Sequence, residues 1–437
     1  MLKSCLKKSA KMLAFAITFT LIFSVVYNKP IRFQPKIMAY ERSVYTPDPS
    51  SPIPDQLLLS PAEDSAGSIR LSWRTSKYIK TGEVRYWEQR QFNDRPLIAK
   101  AELTILKSPE LRADSVNHRF SAVLNDLKPS TTYEYKVGDP ETGRWSDIHK
   151  FSTAPEASDD FSFVYFGDTQ ASPVEFGRLL AEVDAGYPEA GLYLIAGDLV
   201  EDGEWRYMWD AFAFNTTDVF SRKPLAPALG NHDYNHPDGN GLRYFSSYFN
   251  TPANGPPNLP KCMSYSFNQG NVSFIVLDSN YSLAAQTDWL ELQLSRSGEA
   301  YFKIVMFHAS PYNSKKDRPN PDIQKQWVPL FDKYKVDLVL NGHDHSYLRT
   351  KKMNGNQPVA DDAEGTVYVT STATEKYYDY IPLNEAAVQL SRTLTYQLIT
   401  VSHDETGAAN LKFQAFDRAH NLKDEFTLVS HKKNRPR

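Results

Sequence analysis

Apolar positions along this chain fall into three textures. Residues 12–27 form one largely apolar run without a charge. From residue 56 to 155, short stretches alternate apolar with polar positions: SIRLSW, GEVRYW, NHRFSAVL, TTYEYKV and HKFST. Period-two runs separated by turn residues predict strands, and this many over about 100 residues predict an all-β sandwich. From residue 156 onward the apolar runs become continuous and stop abruptly at polar residues, with helical periodicity between them at 174–185, 204–214, 287–297 and 323–334. Continuous apolar strands separated by helices predict a layered α/β domain with a buried sheet. The runs TVYVTST, TYQLITVS, NLKFQAF and EFTLVS extend it to about Ser430, and HKKNRPR (431–437) reads as a solvated basic tail.

The N-terminal texture points to export. Lys3, Lys7, Lys8 and Lys11 precede the apolar run, the order of a positive n-region and an h-region, so residues 1–30 are read as an export segment. The run is short for a membrane span of about 20 residues yet no small-x-small cleavage site follows it. A cleaved signal and an uncleaved anchor through residues 12–27 therefore both stay open. Residues 31–54, rich in Pro and Ser without a period, read as a linker.

The sandwich, placed at 55–155, has two internal markers. Trp73 lies in an early strand where it can plug the core, and Leu127, Pro129 and Tyr133 are spaced like a tyrosine corner. This stretch resembles a fibronectin type III module. It carries no cluster of His, Asp or Cys, which assigns it a structural or positioning role.

Composition narrows the function classes. Lys and Arg number 49 against 52 Asp and Glu, a near-balance that argues against a nucleic-acid-binding protein. Cys5 and Cys262 are the only cysteines, too few for a disulfide framework.

The chemistry lies where the apolar runs of 156–430 end. FSFVYF ends in Gly167-Asp168-Thr169-Gln170, LYLIA in Gly197-Asp198, PLAPAL in Gly230-Asn231-His232-Asp233, FKIVMF in His308, and VDLVL in Asn341-Gly342-His343-Asp344-His345. Open α/β sheets bind ligands at the carboxyl ends of their strands. Asp168, Gln170, Asp198, Asn231, His308, His343 and His345 are all oxygen or nitrogen donors. Carboxylate mixed with imidazole suits Zn, Fe or Mn, whereas Ca or Mg favours oxygens alone. Seven donors exceed the needs of one ion, which predicts two metals with a shared carboxylate. The alternating histidines of Gly-His-Asp-His are expected on one face of an extended segment.

The ordered set D-x-Q, GD, GNHD, H, GHDH resembles the metallophosphoesterase superfamily. With the preceding sandwich, the chain is most similar to purple acid phosphatases and their bacterial relatives over roughly residues 56–430. The resemblance implies a four-layer α/β/β/α domain with a dinuclear centre. It implies that Asp168, Asp198 and His345 hold the first metal, and that Asp198 bridges to a second held by Asn231, His308 and His343. It further implies that His232 contacts phosphate and assists the leaving group, with Asp233 orienting its ring. Two positions depart from the family. Glu201 stands where purple acid phosphatases place a metal-binding tyrosine, and Gln170 where other members carry a histidine. Glu201 as replacement ligand or as a solvated carboxylate are both open, and the metal identities with them.

The expected function is hydrolysis of a small-molecule phosphate ester outside the cytoplasm by a metal-activated hydroxide. Phosphomonoesterase is the leading reading, phosphodiesterase the alternative within the same chemistry. A non-catalytic surface-binding protein with a relic metal site is the alternative of another class. Ester choice would be set by the loops at 234–258 and 311–321, expected to be irregular.

Overall fold

The computed structural model describes residues 48–89, 95–156, 160–234, 240–315 and 318–430. The export segment, the basic tail and most of the linker lie outside the described residues. Among the described residues no helix is long and apolar enough to cross a membrane.

Two antiparallel sheets form the N-terminal sandwich. One orders Asp55–Pro61, Ile69–Ser76, Val116–Leu124 and Glu102–Lys107 side by side; the other orders Leu97–Lys100, Glu83–Glu88, Thr132–Asp139 and Arg144–Trp145, with His149–Ser152 also paired to Thr132–Asp139. Trp73 is fully buried between them and stacks on Phe120. The Tyr133 hydroxyl accepts the backbone N–H of Lys128 at 3.0 Å, closing the corner.

The α/β part is built on two further sheets. The first runs Leu225–Pro227, Ala190–Ile195, Phe161–Phe166, Thr395–His403, Ala409–Asp417 and Leu422–Ser430; the second runs Tyr265–Gln269, Val272–Val276, Phe302–Ala309, Leu338–Gly342, Val367–Thr370, Tyr347–Thr350 and Ala386–Leu390. Successive side chains of a strand point to opposite faces, so a strand buried on both sides must be apolar throughout. In Phe161–Phe166, Phe163 and Tyr165 enter the core between the sheets, while Val164 and Phe166 meet the outer helices Pro173–Gly186 and Arg206–Phe220. On the far side Val305, Phe307 and Val339 pack against Trp289 and Leu290 of the helix Ala284–Arg296, Phe331 of the helix Val328–Tyr334, and Trp327 just before it. The result is four layers, α/β/β/α.

Two expectations need correction. The periodic stretch 323–334 is two helices, Pro321–Gln326 and Val328–Tyr334, broken at Trp327. Pro329 has no N–H for the carbonyl one turn earlier, so a continuous helix would lack that bond. The loop at 234–258 is not wholly irregular: Asn240–Tyr248 is helical, and its Tyr244, Phe245 and Tyr248 are buried.

The sandwich and the α/β part pack as one compact unit. Leu58 and Leu106 of the sandwich join the same apolar cluster as Trp209 and Phe245. Around them lies a buried charge network. Arg74 pairs with Asp55 and, at 3.4 Å, with Asp210; Arg206 bridges Asp210 and Asp114; the Arg119 guanidinium lies 3.8 Å from the centre of the Tyr248 ring.

Candidate metal centre

Five strand ends converge on one site. The strand Phe161–Phe166 leads to Asp168 and Gln170, Ala190–Ile195 to Asp198, and Leu225–Pro227 to Asn231; Phe302–Ala309 carries His308, and Leu338–Gly342 leads to His343 and His345. The chain turns sharply after these strands. Asp198, His343 and His345 all have positive φ (51°, 75° and 47°), a conformation that non-glycine residues hold only where the surroundings enforce it. Glycines beside them allow close approach: a Cβ on Gly342 would collide with the Asp168 carboxylate, and one on Gly230 with that of Asp198.

The left-handed turns overturn the expectation of an extended Gly-His-Asp-His segment. His343 and His345 do not share a face; each serves a different cluster. Donor atoms of Asp198, His308 and His343 lie within 4.8 Å of one another, as do those of Asp168, Asp198 and His345, so Asp198 belongs to both groups.

In the first cluster His345 Nε2 is 2.8 Å from Asp168 Oδ2 and 3.3 Å from the Gln170 amide, which is 3.1 Å from Asp198 Oδ2. In the second, His308 Nε2 is 3.2 Å from Asp198 Oδ2, 3.2 Å from Asn231 Oδ1 and 3.1 Å from His343 Nδ1. Ligand atoms about 2.1 Å from an ion and at right angles to one another lie about 3.0 Å apart, so these spacings match a shared coordination sphere. Gln170 turns its Nε2 toward Asp198 and His345, and its buried Oε1 has no hydrogen-bond partner; reversing the amide would bring that oxygen to an ion. The residues present therefore fit two metal ions.

The ligand rings are pre-oriented. His308 Nδ1–H donates to the Ala196 carbonyl at 2.8 Å and His345 Nδ1–H to the Lys376 carbonyl at 2.5 Å, which turns each Nε2 toward the cluster. Burial alone would lower His308, but the charge and hydrogen bond of Asp198 raise it to about 10. Burial alone would raise Asp198, but His308 brings it below the ordinary carboxylate range. Burial, then His308 and Arg318, push His343 down to about 3, so its ring is neutral.

The two residues expected to act on the leaving group separate. His232 is partly exposed, at 26%, and its Nδ1–H donates to the main-chain carbonyl of Glu201 at 2.7 Å. Asp233 does not orient that ring. Its fully buried carboxylate accepts the backbone N–H groups of Leu199, Val200 and Gly230 at 2.9, 3.2 and 2.8 Å. Burial and the neighbouring Asp198 push its pKa up, against the pull of the Gly230 and Val200 N–H groups. The ring-orienting acceptor is a carbonyl, which no residue type announces. Glu201 stands outside both donor clusters: its carboxylate is 42% exposed and pairs with Lys376 at 3.2 Å.

Two supporting features escaped the sequence reading. Asp278 follows the strand Val272–Val276 and accepts the Tyr234 hydroxyl and the Asn280 N–H; burial pushes its carboxyl up to about 6. Its signal was the same one the other donors gave, an apolar run ending in an acid. The segment 372–378 wraps the first cluster: Ala373 N–H donates to the Asp168 carbonyl, Tyr378 N–H to that of His345, and the Tyr378 ring stacks on His345 at 4.6 Å.

Fold and site together define a four-layer α/β/β/α protein with a candidate two-metal centre at its strand ends. The chain matches the calcineurin-like phosphoesterase family over residues 146–347 and the purple acid phosphatase N-terminal domain over residues 54–153. Together the two matches describe a calcineurin-like phosphoesterase domain preceded by a purple acid phosphatase N-terminal domain. A purple acid phosphatase of Glycine max is 25% identical over 361 residues, covering 76% of this chain and 75% of the relative. An uncharacterized protein of Mycobacterium tuberculosis is 29% identical over 279 residues, 55% of this chain. The chain spans about half, 51%, of that mycobacterial relative. The structure of a purple acid phosphatase from yellow lupin (Lupinus luteus) seeds superposes with a TM-score of 0.74 at 18% identity, covering 86% of this chain and 74% of that one.

Proposed function

We propose that this protein is an exported phosphomonoesterase with two metal ions. The observation that carries the reading is the place of Asp198 Oδ2, within 3.2 Å of His308 Nε2 and 3.1 Å of the Gln170 amide, where one oxygen serves both clusters. Asp168, Gln170 and His345 would hold the first ion and Asn231, His308 and His343 the second, with Asp198 between them. Imidazole with carboxylate favours Fe, Zn or Mn. Bound there, two cations supply an activated water and charge neutralisation.

The chain's own groups supply the rest. His232 sits on the exposed side of the site, where an ester approaches, and its Nδ1 is committed to the Glu201 carbonyl. As the imidazolium the ring keeps that bond and would pass its Nε2 proton to the departing alkoxide, a role worth about 10²–10⁴-fold. Asp233 shapes the turn that carries Asn231 and His232. The buried donors keep bulk water from the ligand side.

Monoester specificity is supported by the purple acid phosphatases among the relatives, and export by the basic-then-apolar pattern of residues 3–27. Metal analysis of the purified protein, beside turnover of a panel of mono- and diesters, tests the reading. Two ions per chain and a monoester preference are expected. A protein that binds no metal and turns over no ester would reduce the site to a relic.

A further inference from the structure

The rings of His232 and His345 are held by main-chain carbonyls, and the residues that own those carbonyls are paired with each other. His232 Nδ1–H donates to the carbonyl of Glu201 at 2.7 Å. His345 Nδ1–H donates to the carbonyl of Lys376 at 2.5 Å. The side chains of these same two residues meet across 175 positions of sequence, Lys376 Nζ lying 3.2 Å from Glu201 Oε1. The circuit runs from ring to carbonyl, through one side chain to another, and back to carbonyl and ring.

Each anchor is otherwise part of a loop. Glu201 follows Leu199 and Val200, whose N–H groups bind Asp233, while Lys376 lies in the segment that wraps Asp168 and His345. Among the described residues no other ion pair joins these two loops. Glu375, beside Lys376, is drawn away to Arg418, and Glu201 also lies 3.9 Å from His232 Nδ1.

We propose that the Glu201–Lys376 ion pair is a positioning latch, which holds the loop that orients His232 in fixed register with the loop that orients His345. Its kinetic consequence rests on the phosphatase reading; its structural consequence does not. The carbonyls supply the orientation and the side chains supply the register between them. Glu201 thus braces the site from outside both donor clusters.

The test is a double-mutant cycle of E201Q, K376M and E201Q/K376M, with K376R as the conservative variant, on the full metal-loaded chain. Amide hydrogen exchange by mass spectrometry is read in segments 199–203 and 373–378, beside kcat and KM for an aryl and an alkyl phosphate monoester. A half-exposed ion pair is worth a factor of about two to five. E201Q is therefore expected to speed exchange in 373–378, and K376M in 199–203, by about that factor. kcat should fall about two- to fivefold with KM unchanged, more for the alkyl ester, because that substrate depends on a correctly aimed His232. The double variant should be no worse than either single, since both remove one interaction, and K376R should retain wild-type behaviour. Exchange that changes only in the mutated loop, or losses that multiply in the double variant, would overturn the latch. If the wild type hydrolyses no phosphate ester, the phosphatase reading fails, and the exchange data still decide the latch by these criteria.

Discussion

The backbone N–H of His343 donates to Asp168 Oδ1 at 2.6 Å, tying the last donor loop of the sequence to the first. Asp198 repeats the device, its Oδ1 accepting the N–H of His232 at 2.8 Å. In both aspartates one oxygen is fixed by the main chain and the other, Oδ2, faces the donor cluster. Each carboxylate is aimed by the backbone of another donor loop.

This division makes Asp198→Asn an informative variant. The amide oxygen can still accept from His232, so the fold should hold and the thermal midpoint stay close to wild type. The amide nitrogen replaces Oδ2 and cannot bridge. Bound metal, counted by mass spectrometry, should fall by at least one equivalent, and turnover by several orders of magnitude. Two retained ions with most activity intact would rule out the bridging role.

His232 and Asp233 should now behave differently rather than alike. His232→Ala should leave the metals bound and lower kcat about 10²-fold or more, chiefly for esters with poor leaving groups. Asp233→Asn places an N–H₂ group among three N–H donors in a buried turn. Its cost should appear as about 2–3 kcal/mol of stability in denaturant titration, with activity loss independent of the leaving group.

Metal uptake should release protons. In the metal-free protein His308 is raised to about 10, so it is protonated at pH 7 and must lose that proton to bind through Nε2. The stabilisation from its pairing with Asp198 is complete below the ordinary histidine value of about 6.5 and is lost as pH rises toward 10; Asp198, held low, contributes above about 4 and fails as pH falls. Apoprotein stability should therefore decline from pH 6.5 upward while apparent metal affinity increases. Calorimetry in two buffers of different ionisation enthalpy measures the released proton; none would contradict the His308–Asp198 pairing.

Colour offers a fourth check. Glu201 lies outside both donor clusters, and the buried Tyr165 hydroxyl donates to the Asn341 carbonyl. Iron-loaded protein should lack an intense tyrosinate band in its visible spectrum.

Much of this site was legible because its donors obey one rule: an apolar strand stops and a ligand-type residue follows. That rule locates Asp168, Asp198, Asn231, His308, His343 and His345 without any knowledge of their distances. It fails where the work is done by main-chain atoms. The carbonyls of Ala196, Glu201 and Lys376 orient three histidines, and a carbonyl belongs to every residue alike. It also misassigns Asp233, whose place beside His232 in sequence suggested a partner, whereas a one-turn helix, Asn231–Tyr234, carries the two side chains apart. The break at Trp327 was signalled by Pro329 but masked by an apolar period that continues across it.

The charge network beneath the sandwich has an implication for how this protein can be taken apart. Asp210 draws Arg74 from one side of the domain border and Arg206 from the other, and Leu58 and Leu106 complete an apolar cluster whose remaining members follow residue 155. A shortened chain beginning at residue 156 would present Tyr248, Phe245 and one half of an ion network to water. The sandwich is thus no detachable ornament: it is the missing wall of the α/β half, and the two should melt and refold as one piece.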